Sequence, residues 1–364
     1  MLAEGTRDGR GDGPDAPTAP TARSPVRGYT RAGMSLPPIH GRPAASVAAV
    51  ALVSVLAAGA CTTGATADRP AVNASMAVAS TATDAIEGWP MPGQAATTSF
   101  IPVLASAENV VGRSRFLLTL VDRANKPIAS PDRAVSLSFF DLAKDPRSPA
   151  ETVATDFVWA IEGERGFYVA YVDFAEAGEW GVQVDVSKAG GAPESARVRF
   201  DVQAKGTTIA VGQKAPSVQT LTVSDVGGDV HRISTDTSPD AGMYQTSVKD
   251  ALARHEPFVL VFATPAFCTS RVCGPTLELV KKVKATEPGV TFINVEPYEL
   301  TWKDGSLQPV LDASGQLTPV AATDAFGLLV EPWIFVVDRD GIVRGSFEAV
   351  VSEKELRGAI EAAK

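Results

Sequence analysis

The feature that most constrains the fold is an uncharged apolar run that leads directly into two cysteines, within Phe258–Pro275. Residues 258–263 are rich in Val and Phe, and such a run is typical of a strand that is buried on both faces of an α/β sheet. Leu277, Val280 and Val283 then follow at helical spacing, with charged residues between them. The sequence therefore predicts a buried strand, a short segment with two cysteines, and a helix.

The position of Cys268 predicts a reactive thiol. We expect Cys268 at or just before the first turn of this helix, where free N–H groups and the positive end of the helix dipole stabilise a thiolate. The thiolate, rather than the thiol, is the nucleophile in disulfide exchange. Cys273 lies about one turn deeper and gains less from the helix end.

The order of strand, cysteine and helix is similar to that of the thioredoxin superfamily, and most of all to its membrane-tethered TlpA-type branch. Two other landmarks carry the resemblance: VGQKAP at 211–216 is similar to the family's N-terminal VG-x-x-AP motif, and VEPW at 330–333 lies where the family has a cis-proline. An Asp340-Gly341 turn between β-branched residues predicts the hairpin that follows this proline. The resemblance implies an α/β thioredoxin-like fold over residues 211–364.

The resemblance also implies site residues and partners. Cys268 and Cys273 are implied as the redox pair, and Pro332 as the cis-proline that presents backbone to the substrate. The residues implied for substrate contact are Phe267, Glu331 and Trp333. The implied partners are protein thiols and disulfides and an upstream redox partner, and neither a cofactor nor a metal is expected.

Other patterns in residues 211–364 predict the remaining elements. A Gly227-Gly228 turn predicts a hairpin of residues 218–222 and 230–233, and a short helix is expected at 247–254. The other predicted elements are a second buried strand at 290–295, an insertion at 296–317 with Tyr298 and Trp302, a helix at 318–326, and a last helix that begins at a Ser352–Glu355 capping box. The aromatic residues of the insertion either contact a partner or pack on their own domain.

Two departures from the family affect the chemistry. Four residues separate Cys268 from Cys273 where thioredoxins have two, and on an unbroken helix the two side chains would lie about 140° apart. That separation is too large for a disulfide, so pairing requires an irregular or unwound first turn. Phe262 stands where thioredoxins often have a buried carboxylate, and that strand offers no acid. Arg271 either lowers a thiol pKa by its charge or is a solvated residue of the helix start.

The N-terminal region predicts export. Residues 1–33 are rich in Gly, Pro, Arg and Asp and are expected to be disordered, and residues 34–60 are typical of a signal peptide. The small residues before Cys61 resemble the lipobox of bacterial lipoproteins, although Ala58 stands where that family most often has Leu. The resemblance implies that Cys61 is lipidated and anchors the protein to a membrane outside the cytoplasm. Cleavage by ordinary signal peptidase and retention of the segment as an anchor are the alternatives.

The region between the signal and residue 211 predicts an all-β domain. Residues 61–98 are typical of a flexible tether, and residues 204–210 form a second linker. Residues 99–203 alternate with period two in five segments, which predicts an antiparallel sandwich. The FAEAGEW sequence at 174–180 resembles immunoglobulin-like YtkA and FixH-type modules, some of which handle copper. This region has no His, Cys or Met and therefore lacks the ligands that copper prefers.

Several functions remain open at this point. The formal net charge of −9 argues against nucleic acid as a partner. A thiol–disulfide oxidoreductase is favoured, with attack by Cys268 and resolution by Cys273. A peroxiredoxin of the bacterioferritin-comigratory type has the same cysteine spacing, but here Pro265 and Val261 replace the residues that its motif requires. A copper chaperone of the SCO type would need a His after His255, and none occurs. A purely structural disulfide is the remaining alternative.

Overall fold

The computed structural model describes residues 85–91, 94, 97–188 and 191–364. All of these belong to one compact unit. The predicted disordered extension, the signal peptide, Cys61 and most of the tether lie outside the described residues. Within the described ranges no helix has the length and apolar character needed to span a membrane.

Residues 101–202 form a β-sandwich of two four-stranded antiparallel sheets, called the sandwich below. The first sheet has the order β1 (Ile101–Leu104), β2 (Gly112–Val121), β6 (Arg165–Phe174) and β5 (Asp156–Ile161). The second has the order β4 (Glu151–Ala154), β3 (Arg133–Asp141), β7 (Gly178–Lys188) and β8 (Glu194–Val202). Apolar residues of both sheets share one buried core.

Aromatic side chains fill the centre of the sandwich. Phe139 lies 5.0 Å from Phe116 and 5.7 Å from Phe174 between ring centroids, in both cases edge to face. Trp180 packs on Phe174 in the same way, at 5.0 Å. Alternate residues of a strand point to the same face, so the period-two pattern of the sequence corresponds to this core.

A mixed four-stranded sheet lies at the centre of the C-terminal part, residues 211–364. Its order is β10 (Thr291–Val295), β9 (Phe258–Phe262), β13 (Trp333–Val337) and β14 (Val343–Glu348). β9 runs parallel to β10 and antiparallel to β13. The helices of this part are α1 (Val248–Ala253), α2 (Cys273–Lys284), α3 (Ala321–Phe326) and α4 (Glu353–Ala363). β11 (Leu300–Lys303) and β12 (Ser306–Pro309) form a separate hairpin.

Local sequence explains the ends of these elements. All residues of β9 and β13 are buried, which matches their uncharged runs. α4 begins at the predicted capping box: Ser352 Oγ accepts a hydrogen bond from the Glu355 N–H, and the Glu355 carboxylate accepts one from the Ser352 N–H. α3 ends at Gly327, whose φ of 66° lies in the left-handed region that glycine adopts without strain.

The predicted fold class was wrong. The sequence predicts a multidomain chain in which an immunoglobulin-like sandwich is followed by an α/β thioredoxin-like fold. The described residues are instead mostly β, with fourteen strands in four sheets and four α-helices. Two of those helices have only six residues each. The chain is therefore described as a mainly β protein.

Side-chain capping accounts for one local difference. The hairpin predicted at 218–222 and 230–233 does not form, and short 3₁₀ turns occupy this stretch. The Asp225 carboxylate accepts a hydrogen bond from the Thr222 N–H, and the Asp229 carboxylate accepts one from the His231 N–H. These bonds give the backbone an alternative to strand pairing.

The sandwich packs on the C-terminal part through a buried ion pair. Arg115 on β2 donates from Nε to Glu355 Oε1 and from Nη2 to the Val350 carbonyl, each at 2.8 Å. The side chains of Arg115 and Glu355 are 8 % and 15 % exposed. Burial alone would raise the pKa of Glu355, but the hydrogen bond and charge of Arg115 outweigh it and hold that pKa at about 2. The two parts are therefore joined by a strong, specific contact.

Candidate thiol active site

Both cysteines lie in the segment between β9 and α2. A turn follows β9 over residues 265–267, and α2 begins at Cys273. Cys268 thus precedes the helix by five residues, and Cys273 is the first residue of the helix instead of lying about one turn deeper. Its sulfur still reaches the helix start, because Cys268 Sγ accepts a hydrogen bond from the Cys273 N–H at 3.4 Å. The contact with the helix end therefore comes from a loop that folds back over it.

The loop between the cysteines is irregular, which brings them together. Arg271 has a φ of 62°, in the left-handed region, and its N–H donates to the Cys268 carbonyl at 3.1 Å. The two sulfurs and a carboxylate oxygen of Glu331 consequently lie within 4.8 Å of one another. The separation of about 140° on an unbroken helix does not apply here. Cys268 and Cys273 are both free thiols.

Hydrogen bonds make Cys268 the acidic thiol. The largest cause is the hydrogen bond from the Cys273 side chain, and burial of Cys268 opposes it. The Ser270 hydroxyl, 3.1 Å from Sγ, and the N–H groups of Cys273 and Val272 add to the effect. Together they lower the pKa of Cys268 from 9.0 to about 6. Cys268 is therefore mainly a thiolate at neutral pH.

Cys273 shows the opposite behaviour. Its side chain has no exposed surface, and burial is the largest cause of a strongly raised pKa. The hydrogen bond to Cys268 and the negative charges of Cys268 and Glu331 raise this pKa further. The pair consequently contains one thiolate and one protonated thiol.

A carboxyl group faces the two sulfurs from the loop before β13. Glu331 precedes Pro332, and the peptide bond between them is cis. The Tyr298 hydroxyl donates a hydrogen bond to Glu331 Oε2. Burial raises the pKa of Glu331 to about 7, the Tyr298 hydrogen bond lowers it, and the charge of Cys268 raises it. Glu331, for which the resemblance implies substrate contact, therefore lies beside the thiols. Near neutral pH its protonated and ionised forms are present in similar amounts.

The other residues implied for substrate contact have different surroundings. Phe267 is half-buried and directly precedes Cys268 in the turn. Trp333 is 5 % exposed, stacks on Phe335 and donates from its indole N–H to Ser346 Oγ at 2.9 Å. Pro332 is buried beside it. The structure thus brings Phe267 and Glu331 next to the thiols, whereas the Trp333 ring belongs to the core.

The sandwich holds the loop between the cysteines. Arg165 donates from Nη1 to the Ser270 carbonyl at 2.6 Å. Val272 is 2 % exposed and belongs to an apolar cluster that includes Val158 and Phe167 of the sandwich. These contacts hold the backbone of the loop against the sandwich. The sequence alone gave no indication of this contact.

Arg271 does not act on the thiols through its charge. Its guanidinium pairs with Glu164 of the sandwich at 3.3 Å, and its side chain is 68 % exposed. The causes that lower the pKa of Cys268 are hydrogen bonds. Of the two interpretations of Arg271 from the sequence, the structure therefore favours the solvent-exposed residue.

The sequence did not predict the partner of Glu331, nor a second buried carboxyl that lies outside the cluster of the two sulfurs and Glu331. Tyr298, considered only as a loop aromatic, is the hydrogen-bond partner of Glu331. Glu296 directly follows β10, and its Oε1 accepts hydrogen bonds from the Thr235 N–H at 2.6 Å and hydroxyl at 2.8 Å. Burial raises the pKa of Glu296 to about 7. An acidic residue directly beside a buried strand was the available signal.

The two cysteines and Glu331 also carry atoms that can bind a metal ion. Cys268, Cys273 and Glu331 form the group of potential ligands found within the described ranges. Two thiolates suit a soft ion, whereas a carboxylate is a hard ligand. The chemistry of this donor set therefore favours a redox pair over a copper site.

Comparisons with known proteins leave the family open. No family model and no curated protein matches the chain. A solved DUF4426 family protein from Pseudomonas aeruginosa is 12 % identical over 29 % of this chain and 90 % of its own, with a TM-score of 0.21. The soluble domain of PmoD from Methylocystis is 15 % identical over 27 % of this chain and 79 % of its own, with a TM-score of 0.18. Similarity this low identifies neither fold nor function, so the resemblances noted in the sequence stay predictions.

Proposed function

We propose that the protein is a thiol–disulfide oxidoreductase that acts on protein disulfides. The observation that supports this most directly is the placement of two adjacent thiols: Cys268 Sγ accepts a hydrogen bond from the N–H at the start of α2, and Cys273 has no exposed surface. Cys268 has a pKa of about 6, whereas Cys273 is held protonated by burial and by the charge of its neighbour. A thiolate beside a protonated thiol has the two roles that disulfide exchange requires, an attacking group and a resolving group.

The reaction consists of two exchange steps. Cys268 Sγ attacks one sulfur of the substrate disulfide, that S–S bond breaks, and the other substrate sulfur leaves as a thiolate. Cys273 then loses its proton, attacks Cys268 Sγ in the mixed disulfide and releases the second substrate sulfur. The substrate gains two electrons and the cysteine pair loses two. An upstream thiol partner must reduce the pair before the next turnover.

The proposed location is outside the cytoplasm, on a membrane to which a lipid on Cys61 anchors the chain. This part of the proposal depends on the run of small residues before Cys61 and on the tether-like composition after it. Disulfides persist in such compartments, so substrates of the proposed reaction occur there.

Single-cysteine variants test the proposal. Reduced Cys273→Ser and Cys268→Ser proteins are mixed with a peptide that carries one disulfide, and each product is identified by intact mass. We expect Cys273→Ser to accumulate a mixed disulfide on Cys268, because the attacking sulfur survives without its resolving partner. Cys268→Ser should form no adduct, and the double variant serves as the control.

Two outcomes would contradict the proposal. If neither single variant changes exchange with the peptide, the cysteine pair is a structural element only. If hydrogen peroxide oxidises Cys268 rapidly while the peptide disulfide does not react, the protein is a thiol peroxidase instead.

A further inference from the structure

The second exchange step has a requirement that the cysteines alone do not meet. Cys273 must lose a proton before it attacks, yet its side chain has no exposed surface. A group without access to solvent cannot pass its proton directly to bulk water. A neighbouring side chain must therefore take that proton.

Glu331 is placed to receive it. One of its carboxylate oxygens lies within 4.8 Å of both sulfurs. The Tyr298 hydroxyl donates a hydrogen bond to Glu331 Oε2, and this bond holds the carboxylate in one orientation. Oε1 keeps its lone pairs for another donor. Glu331 as a residue keeps some exposed surface, whereas Cys273 has none.

We propose that Glu331, oriented by Tyr298, is the general base that accepts the Cys273 proton in the resolving step. This inference rests on the proposed function. The S–H proton of Cys273 passes to the Glu331 carboxylate, and the new thiolate attacks Cys268 Sγ. The bond between Cys268 and the substrate sulfur breaks, and the substrate leaves as a thiolate. Glu331 then returns the proton to that thiolate or to water, so no external oxidant or reductant is involved.

The first exchange step prepares this transfer. In the free protein the negative charge of Cys268 raises the pKa of Glu331 and also that of Cys273. When Cys268 becomes a mixed disulfide, this charge disappears. The pKa values of both groups then fall, so Glu331 becomes ionised and Cys273 becomes a better acid at the same stage. The base is therefore active mainly when a substrate is attached.

The surroundings of Glu331 offer a matched control. The titratable groups that face it are Tyr298, Cys268 and Cys273. Glu296 is a second buried carboxyl with a pKa of about 7, but it does not belong to the cluster with the sulfurs. An amide oxygen can accept the hydrogen bonds that Thr235 donates to Glu296. Glu296→Gln thus removes a similar acid without removing the proposed base.

Rapid-quench kinetics with oxidised glutathione separates the two steps. Attack by Cys268 releases one glutathione, and resolution by Cys273 releases the second, with the mixed disulfide seen by intact mass. We expect Glu331→Gln to keep the first step and to slow the second by about 100-fold or more, as for loss of a general base. Glu296→Gln should resolve as the unaltered protein does. In the unaltered protein the second step should accelerate as pH rises through the pKa of Glu331, and Glu331→Gln should lack this inflection.

Tyr298→Phe provides a second, independent test. The Tyr298 hydrogen bond lowers the pKa of Glu331, so its loss should move the inflection of the resolving step to higher pH. The inference is overturned if Glu331→Gln slows resolution by less than about 10-fold, or if Tyr298→Phe leaves the pH profile unchanged. Absence of any mixed disulfide on Cys268 in the Cys273→Ser variant would instead overturn the proposed function, and the inference with it.

Discussion

The acidity of Cys268 depends on a side chain that can be removed without altering the loop. Ser270 Oγ lies 3.1 Å from Cys268 Sγ, and the Ser270 carbonyl is held by Arg165 whether or not the hydroxyl is present. Ser270→Ala therefore deletes one hydrogen bond to the thiolate. A hydrogen bond to a charged group contributes about 1.5–3 kcal/mol, and we take about 1 kcal/mol because this hydroxyl is half-buried. That energy corresponds to a rise of about 0.7 in the pKa of Cys268.

The assay is the ultraviolet absorbance of the thiolate as a function of pH in the reduced protein. The unaltered protein should titrate near pH 6, the value that hydrogen bonding gives Cys268, and Ser270→Ala should titrate near about pH 6.7. At about pH 6.5 the thiolate fraction should fall from about three quarters to about two fifths. Thr269→Ala, which deletes the hydroxyl of the exposed neighbouring residue, is the control. Two results would contradict this prediction: Ser270→Ala titrates at the same pH as the unaltered protein, or Thr269→Ala raises the titration pH as much as Ser270→Ala does.

Three further predictions concern stability and location. Arg115→Met should reduce the free energy of unfolding by about 3–5 kcal/mol in a denaturant titration, because it leaves the Glu355 charge buried and unpaired. The control Arg113→Met breaks the ion pair with Asp173, in which both side chains are 61 % exposed, and should reduce the free energy of unfolding by at most about 1 kcal/mol. Equal losses in the two variants would contradict the prediction that the buried pair matters more. The folded state lowers the pKa of Glu355 from 4.5 to about 2, so the contribution of Glu355 to the free energy of unfolding should be complete above pH 4.5 and disappear as pH falls toward 2. A difference in this free energy between the unaltered protein and Arg115→Met that does not change with pH would contradict this prediction. Cys61→Ser should release the protein from the membrane fraction, and equal retention would refute lipidation.

Elements that depend on local pattern were predictable from the sequence. The uncharged run at 258–263 corresponds to β9, and the period-two segments correspond to strands of the sandwich. The capping box at Ser352 marks the first turn of α4. In each case the signal lies within a few residues of the element, so tertiary contacts were not needed to detect it.

The fold class and the site environment depend on contacts between distant residues, and the sequence pattern does not contain them. Short 3₁₀ turns replace the predicted hairpin because Asp225 and Asp229 bond nearby N–H groups, a choice that apolar periodicity does not reveal. Tyr298 and Glu331 are 33 residues apart, and Arg165 is 105 residues from Ser270. Such pairs meet only in the folded chain, so the base beside the thiols was not predictable from the strand before Cys268.

The measurement that tests the account most directly is the order in which the two cysteines are alkylated in the reduced, unaltered protein. Iodoacetamide is added for short times between about pH 5 and 9, a range that spans the pKa of Cys268, and the modified peptides are quantified by mass spectrometry. We expect Cys268 to be modified first, with a rate that rises through about pH 6, while Cys273 stays unmodified. Faster modification of Cys273, or equal rates for both cysteines at every pH, would contradict the assignment of one attacking thiolate and one resolving thiol.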